Sequence, residues 1–118
     1  MTHVFKDIEL FATACDQPAS PENYKMYLGL IDEEYGELVD AVMADDKVEQ
    51  LDALVDILVV TMGAIRAAGW DGEAAWVEVM KTNFAKIDFE TGKVRKREDG
   101  KVLKPEGWVA PQLAQFVK

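Results

Sequence analysis

The sequence predicts an all-α protein: an antiparallel, four-helix bundle-like domain that ends in a short basic C-terminal arm or hairpin. Three observations carry this expectation. Apolar residues recur at spacings of three and four over four separate segments. Turn and capping chemistry falls between those segments. Beyond residue 90 the periodicity gives way to short basic runs punctuated by glycine. At 118 residues the chain has room for one domain with its own core. Residues 1–90 form a helical body in this scheme and 91–118 the basic arm and tail.

The first helix is read over residues 4–15, where Val4, Phe5, Ile8, Leu10, Phe11 and Ala14 make a broad stripe. The stretch DQPASPEN interrupts it. Within that stretch Ser20 followed by Pro21 reads as an N-cap with proline at the first helical position. A second helix then spans 21–43, with Tyr24, Tyr27, Leu28, Ile31, Tyr35, Leu38 and Val42 inward. The link ADDK is short, and short links make neighbouring helices antiparallel. The third helix, 47–68, is the most apolar, and its LVDILVVTMGAI run reads as buried on most sides. Gly69 is a natural residue to end it. Asp71 caps a fourth helix running from Gly72 to about Ile87, with Trp76, Val79, Met80 and Phe84 on its apolar side. In DFETGKVRKREDGKVLKPEGW, the Asp99-Gly100 pair between KVRKR and KVLK signals a turn, hence a small hairpin or an extended arm. VAPQLAQFVK reads as a short closing helix.

Composition narrows the class of protein. Hydrophobic content of 49% with 30% charge excludes global disorder. No apolar run approaches the roughly 20 residues that cross a bilayer, so no membrane association is expected. MTHVFKDIELF lacks the basic start and apolar stretch of a secretory leader. The single cysteine, Cys15, excludes an intrachain disulfide and a cysteine-built zinc site, and it fits a reducing cytoplasm. A net charge of −9 argues against binding polymeric nucleic acid. The charge is also polarised. Residues 1–80 carry 17 acids and 4 bases, whereas 81–118 carry 5 acids and 9 bases. An acidic body that holds a divalent cation, joined to a basic tail that holds phosphate, accounts for both halves.

The acids are not scattered. Glu33, Glu34 and Glu37 share one flank of the second helix, because spacings of three and four bring side chains together. Glu49, Asp52 and Asp56 repeat the device on the third. Asp56 lies in LVDILVV, where every neighbour points to burial, and a buried carboxylate without a partner is costly. If the two helices are antiparallel neighbours, the acidic flanks converge. Carboxylates that close raise one another's pKa unless a positive charge lies among them. Lys47 is the only base between Glu33 and Asp56. A hard divalent cation is the remaining candidate, since it prefers carboxylate oxygen. The plainer alternative is a solvated, glutamate-rich helix face.

EEYGE at 33–37, followed on the next helix by LDALVDILVVTMGA, resembles the MazG-like all-α nucleoside triphosphate pyrophosphohydrolases, whose superfamily includes the phosphoribosyl-ATP pyrophosphohydrolases. FATACDQP, EVMKTNFAKID and KREDGKVLKPEGW extend the likeness to nearly the whole chain. The family signature is EExxE and then ExxD on a second helix, together binding magnesium. Glu33, Glu34 and Glu37 match the first part, and Asp56 matches the final aspartate. The glutamate expected three residues earlier is Ala53 here, with Asp52 at four. The frame Glu49–Asp52 fits ExxD literally, one turn too early.

The resemblance implies Mg²⁺ (Mn²⁺ as the substitute) held by Glu33, Glu34, Glu37 and Asp56, with the three glutamates as the catalytic group; Asp52 joins the metal ligands because residues four apart on a helix can serve the same ion as residues three apart. It also implies nucleotide contacts from Asn83 and Lys86. Arg97 and Lys101 of the arm would neutralise phosphate. His3 is the only histidine, so a carboxylate would have to orient or deprotonate the water. The expected reaction converts a (deoxy)nucleoside triphosphate to monophosphate and pyrophosphate, as nucleotide-pool house-cleaning. Two rivals stand beside it: a non-catalytic helical dimerisation module, and hydrolysis of phosphoribosyl-ATP. An apolar third helix in so short a chain also predicts a homodimer or tetramer.

Overall fold

The computed structural model describes residues 3–117 and is all-α. Its helices are α1 (Val4–Ala14), α2 (Pro21–Met43), α3 (Lys47–Ala67) and α4 (Gly72–Phe84), followed by a single 3-10 turn, Ala114–Phe116. Among the described residues there is no β-strand, only two isolated antiparallel bridges in the arm. No helix among them is long and apolar enough to cross a membrane. The chain divides into two compact units, Met1–Gly72 and Glu73–Lys118.

In the first unit each helix starts at a side chain that accepts a backbone N–H otherwise left unpaired. His3 Nδ1 accepts from Lys6 at 3.1 Å, Ser20 Oγ from Asn23 at 3.0 Å, and Asp46 Oδ1 from Glu49 at 3.1 Å. Pro21 follows Ser20 at the first helical position, as the sequence predicts. The helices also end alike. Asp16, Asp45 and Gly69 have φ of 56°, 52° and 78°. The N–H of each following residue turns back onto the last helical turn: Gln17 to Ala12 O at 3.0 Å, Asp46 to Ala41 O at 3.0 Å, Trp70 to Ile65 O at 3.2 Å. Gly69 is the stop that the sequence predicts. At the other two stops a short polar side chain tolerates the left-handed backbone.

The link of residues 44–46 returns α3 antiparallel along α2, and α1 packs on α3. The core is small: Tyr27 from α2 meets Val60, Ala64 and Ala67 from α3, flanked by Tyr24, Leu30 and Ile31. Small residues let the helices approach. A Cβ at Gly63 would lie within 2.9 Å of three carbons of the Tyr27 ring. The Tyr27 hydroxyl donates to Gln17 Oε1 at 2.6 Å, and burial pushes its pKa up, which keeps it a donor. Arg66 ties α3 to the α1 side: Nη1 donates to Gln17 O at 2.6 Å, while Nε and Nη2 fork onto the Glu9 carboxylate. That hydrogen bond holds the Glu9 pKa below the usual glutamate range. Trp70 stands edge-on to Tyr24, ring centroids 5.5 Å apart.

Burial falls short of the sequence expectation along the rest of these helices. Leu28, Tyr35 and Val42, read as inward, are exposed, and so are Leu51, Leu54, Val55 and Leu58 on α3. One long helix and one short one do not surround α3, so its N-terminal half keeps an open apolar stripe.

In the second unit α4 stops at Phe84, three residues before the expected end. The chain tightens there: Lys86 N–H donates to Asn83 O at 3.1 Å and Ile87 N–H to Phe84 O at 3.0 Å, bonds that span three residues rather than four. The arm pairs at Ile87↔Val94 and Lys96↔Val102. Asp99-Gly100 forms its tip, with Gly100 N–H donating to Arg97 O at 2.9 Å. The expected hairpin is present as a pair of bridges, without a continuous ladder. Trp108 pins the tail to α4 by donating its indole N–H to Thr82 O at 2.7 Å, and Gln112 N–H donates to Glu78 Oε2 at 2.8 Å. The expected closing helix is reduced to the one 3-10 turn.

Candidate active site

The acidic flank of α2 and Asp56 of α3 meet around Glu34. Glu34 is half-buried, and its Oε2 is fully shielded from solvent with no hydrogen-bond partner. Its carboxyl is pushed from the ordinary 4.5 up to about 7. The largest cause is a hydrogen bond with the Glu37 carboxyl, which exists only while one of the two carries a proton. Burial adds to it, and so do the negative charges of Glu37, Asp56 and Glu33. Glu33 and Glu37 are exposed, whereas Asp56 is half-buried. Helical spacing on α2 and the short link to α3 bring these four together.

Asp52 and Glu49 are not among the charges that raise the Glu34 pKa. Both are exposed, nearer the start of α3, and the Glu49 N–H donates to the Asp46 cap. Where the family signature carries a glutamate, Ala53 is one of the most buried residues of α3. A carboxylate there would be lost in the packing.

The donors around Glu34 are all carboxylate oxygens, the set that suits a hard divalent cation. A shielded oxygen without a partner is the atom such an ion would satisfy. Among the described residues no three acidic, histidine or cysteine side chains already stand in a closed set around an ion position. The four residues suit a cation by the chemistry of their oxygens and by the one unpartnered oxygen, and not by an arrangement that already encloses an ion.

The expected substrate residues lie in the second unit. Lys86 Nζ donates to Asn83 Oδ1 at 3.0 Å, and Asn83 Nδ2 faces Met80 Sδ at 3.7 Å. Arg97 instead forks onto Asp99 beside the turn, at 3.2 and 2.6 Å. That hydrogen bond, with one from the Lys101 backbone, holds the Asp99 pKa below the usual range. Arg97 and Lys101 therefore belong to the tip of the arm. The bases that share a cavity with Lys86 are Arg95 and Lys104. The sequence marks both among the basic residues of the arm suited to phosphate but does not single them out. The available signal was the turn itself, since a hairpin tipped at Asp99-Gly100 brings residues near 95 and 103 together.

The family model described as phosphoribosyl-ATP pyrophosphohydrolase matches residues 9–83, which include every acidic residue discussed at the site. No curated protein matches the sequence.

Proposed function

The chain belongs to the phosphoribosyl-ATP pyrophosphohydrolase family, hydrolases of phosphoric anhydrides, and from that premise we propose that it cleaves the α–β anhydride of a (deoxy)nucleoside triphosphate. Water adds across the bond; one product is the nucleoside monophosphate and the other pyrophosphate. The single observation that carries the site is the shielded, unpartnered Oε2 of Glu34 among Glu33, Glu37 and Asp56.

In this scheme Glu33, Glu34, Glu37 and Asp56 hold Mg²⁺ or Mn²⁺, with Asp52 one turn away on α3. The cation, when bound, supplies positive charge to the phosphates and lowers the pKa of water. The chain's own residues do the rest. One of the catalytic glutamates, Glu33, Glu34 or Glu37, orients the attacking water and accepts its proton. No imidazole competes for that role, because the single histidine, His3, caps α1. Asn83 and Lys86 bind the substrate, with Lys86 neutralising its phosphates; Arg97, which the sequence also suggests for this task, is instead paired with Asp99 at the arm's tip, beside Lys101.

Cleaning of the cytoplasmic nucleotide pool is the cellular work we assign. A homodimer or tetramer is the working form, for the exposed stripe on α3 needs a cover. A second substrate, phosphoribosyl-ATP, is favoured by the description of the matched family. It presents the same anhydride and differs in the group attached to the base.

The test is to incubate the protein with Mg²⁺ and a panel of nucleoside and deoxynucleoside triphosphates and phosphoribosyl-ATP, measuring pyrophosphate and orthophosphate separately. Pyrophosphate with stoichiometric monophosphate is the expected result, and the fastest substrate decides between the two. Orthophosphate alone, or no product from any of them, overturns the assignment. D56A separates enzyme from passive dimerisation module: turnover and Mg²⁺ binding are lost with the fold retained.

A further inference from the structure

The bases of the arm divide into two groups. Arg97 is neutralised by Asp99 at the tip. Arg95 and Lys104 meet Lys86 around a cavity of about 470 Å³. Among the described residues, none of these three forms an ion pair with a carboxylate. Two are held in place by an uncharged group instead. Lys86 Nζ lies 5.0 Å and Lys104 Nζ 4.8 Å from the centroid of the Trp108 ring. The ring is fixed by the bond from its N–H to the carbonyl of buried Thr82. Cation–π attraction orients an ammonium group without cancelling its charge. Three basic residues line one concavity, and like charges gathered around it make an anion within it favourable.

Asp88 and Glu106 also line the cavity. Asp88 Oδ1 accepts the N–H of Glu90 at 2.8 Å, so this carboxylate serves its own turn. Glu106 is exposed at the rim and subtracts from the positive field. The balance stays positive. The volume is within the range of small-molecule sites, roughly 300–1,000 Å³.

We propose that this cavity binds a diphosphate group, with Arg95 and Lys104 as ligands beside Lys86. Guanidinium forks onto two phosphate oxygens, and the two ammonium groups take the remainder. The choice of diphosphate rests on the proposed reaction, which releases pyrophosphate; the pocket itself rests on the cavity and the three basic residues that line it. The same chemistry is offered by free pyrophosphate and by the β,γ end of a nucleotide.

The experiment is calorimetric titration of the full chain with pyrophosphate in metal-free buffer, for the wild type, R95Q/K104Q, R97Q/K101Q and E106Q. Binding to the wild type is expected, with a loss of roughly tenfold or more in R95Q/K104Q. R97Q/K101Q should leave affinity nearly unchanged, and E106Q should tighten it. All the substituted side chains are exposed, and thermal melts matching the wild type verify folding. No heat at millimolar pyrophosphate, or equal affinity in R95Q/K104Q and wild type, overturns the proposal. Displacement by a non-hydrolysable nucleoside triphosphate assigns the group to the nucleotide's end, and failure to displace assigns it to free pyrophosphate. Pyrophosphate binding needs no turnover. An inactive protein that still binds it through Arg95 and Lys104 sinks the reaction and keeps the pocket; an active one indifferent to both residues does the reverse.

Discussion

Glu34 concentrates the electrostatics of the molecule in one carboxyl group. In the unfolded chain it titrates near the ordinary 4.5, and in the folded chain near 7. Below 4.5 both states hold the proton, and the group costs the fold nothing. As pH rises through 7 the folded chain must release it against Glu37, Asp56 and Glu33, so destabilisation grows across this window and is complete above it. In metal-free buffer E34Q should therefore melt at a higher temperature than wild type near pH ~8, with the difference vanishing near pH ~4.5. Thermal scans over that range check it, and a constant difference would contradict it. The ranking of causes is testable too. E37Q should lower the Glu34 pKa more than D56N does, because the Glu37 hydrogen bond outranks the Asp56 charge; carboxyl carbon NMR reads both. The EExxE spacing and the apolar setting of Asp56 made this group legible in the sequence. Which of the acids would be shielded was not, because that depends on how α2 rotates against α3.

Among the elements, the helices were readable because local chemistry sets their limits. Ser20-Pro21 and Gly69 act within a few residues, and they fix the α2 start and the α3 end. S20A should cost about 1 kcal/mol in denaturant unfolding, the usual value of a lost cap. The close approach of α2 and α3 depends instead on a distant pair. G63A adds a methyl where the Tyr27 ring already sits, and overpacking of this kind costs roughly 1–3 kcal/mol. An unchanged unfolding midpoint would show that the ring moves aside freely. The left-handed stops at Asp16 and Asp45 and the early end of α4 were harder to read. Aspartate is common in loops without this backbone, and the shift to tighter bonds after Phe84 follows from the arm's return beside α4. For the same reason Arg95 and Lys104 could not be told from Arg97 and Lys101: all four are exposed bases in a basic run, and only pairing across the turn separates them.

At the scale of the whole molecule, the unfilled requirement is cover for α3. Leu51, Leu54, Val55 and Leu58 recur at helical spacing, and Leu51 and Leu58 are 64% and 60% exposed. Tyr35, Val39, Val42 and Met43 do the same on α2. Stripes of this extent mark surfaces that associate. Sedimentation should give a dimer or tetramer, and L54K/L58K should shift it to monomer; a wild-type monomer at micromolar concentration would remove the oligomer. The central claim is that the acids of α2 and α3 make a cation site. Calorimetric titration with Mg²⁺ at about pH 6, 7 and 8, on wild type and E34Q, tests it most directly. Since a cation must displace the proton held by Glu34, whose pKa is raised to about 7, wild-type affinity should weaken below neutrality, by up to roughly tenfold per pH unit, with proton release on binding. E34Q should bind weakly at every pH. Affinity that is independent of pH and equal in the two proteins, or no uptake of Mg²⁺ even with a triphosphate present, would contradict it.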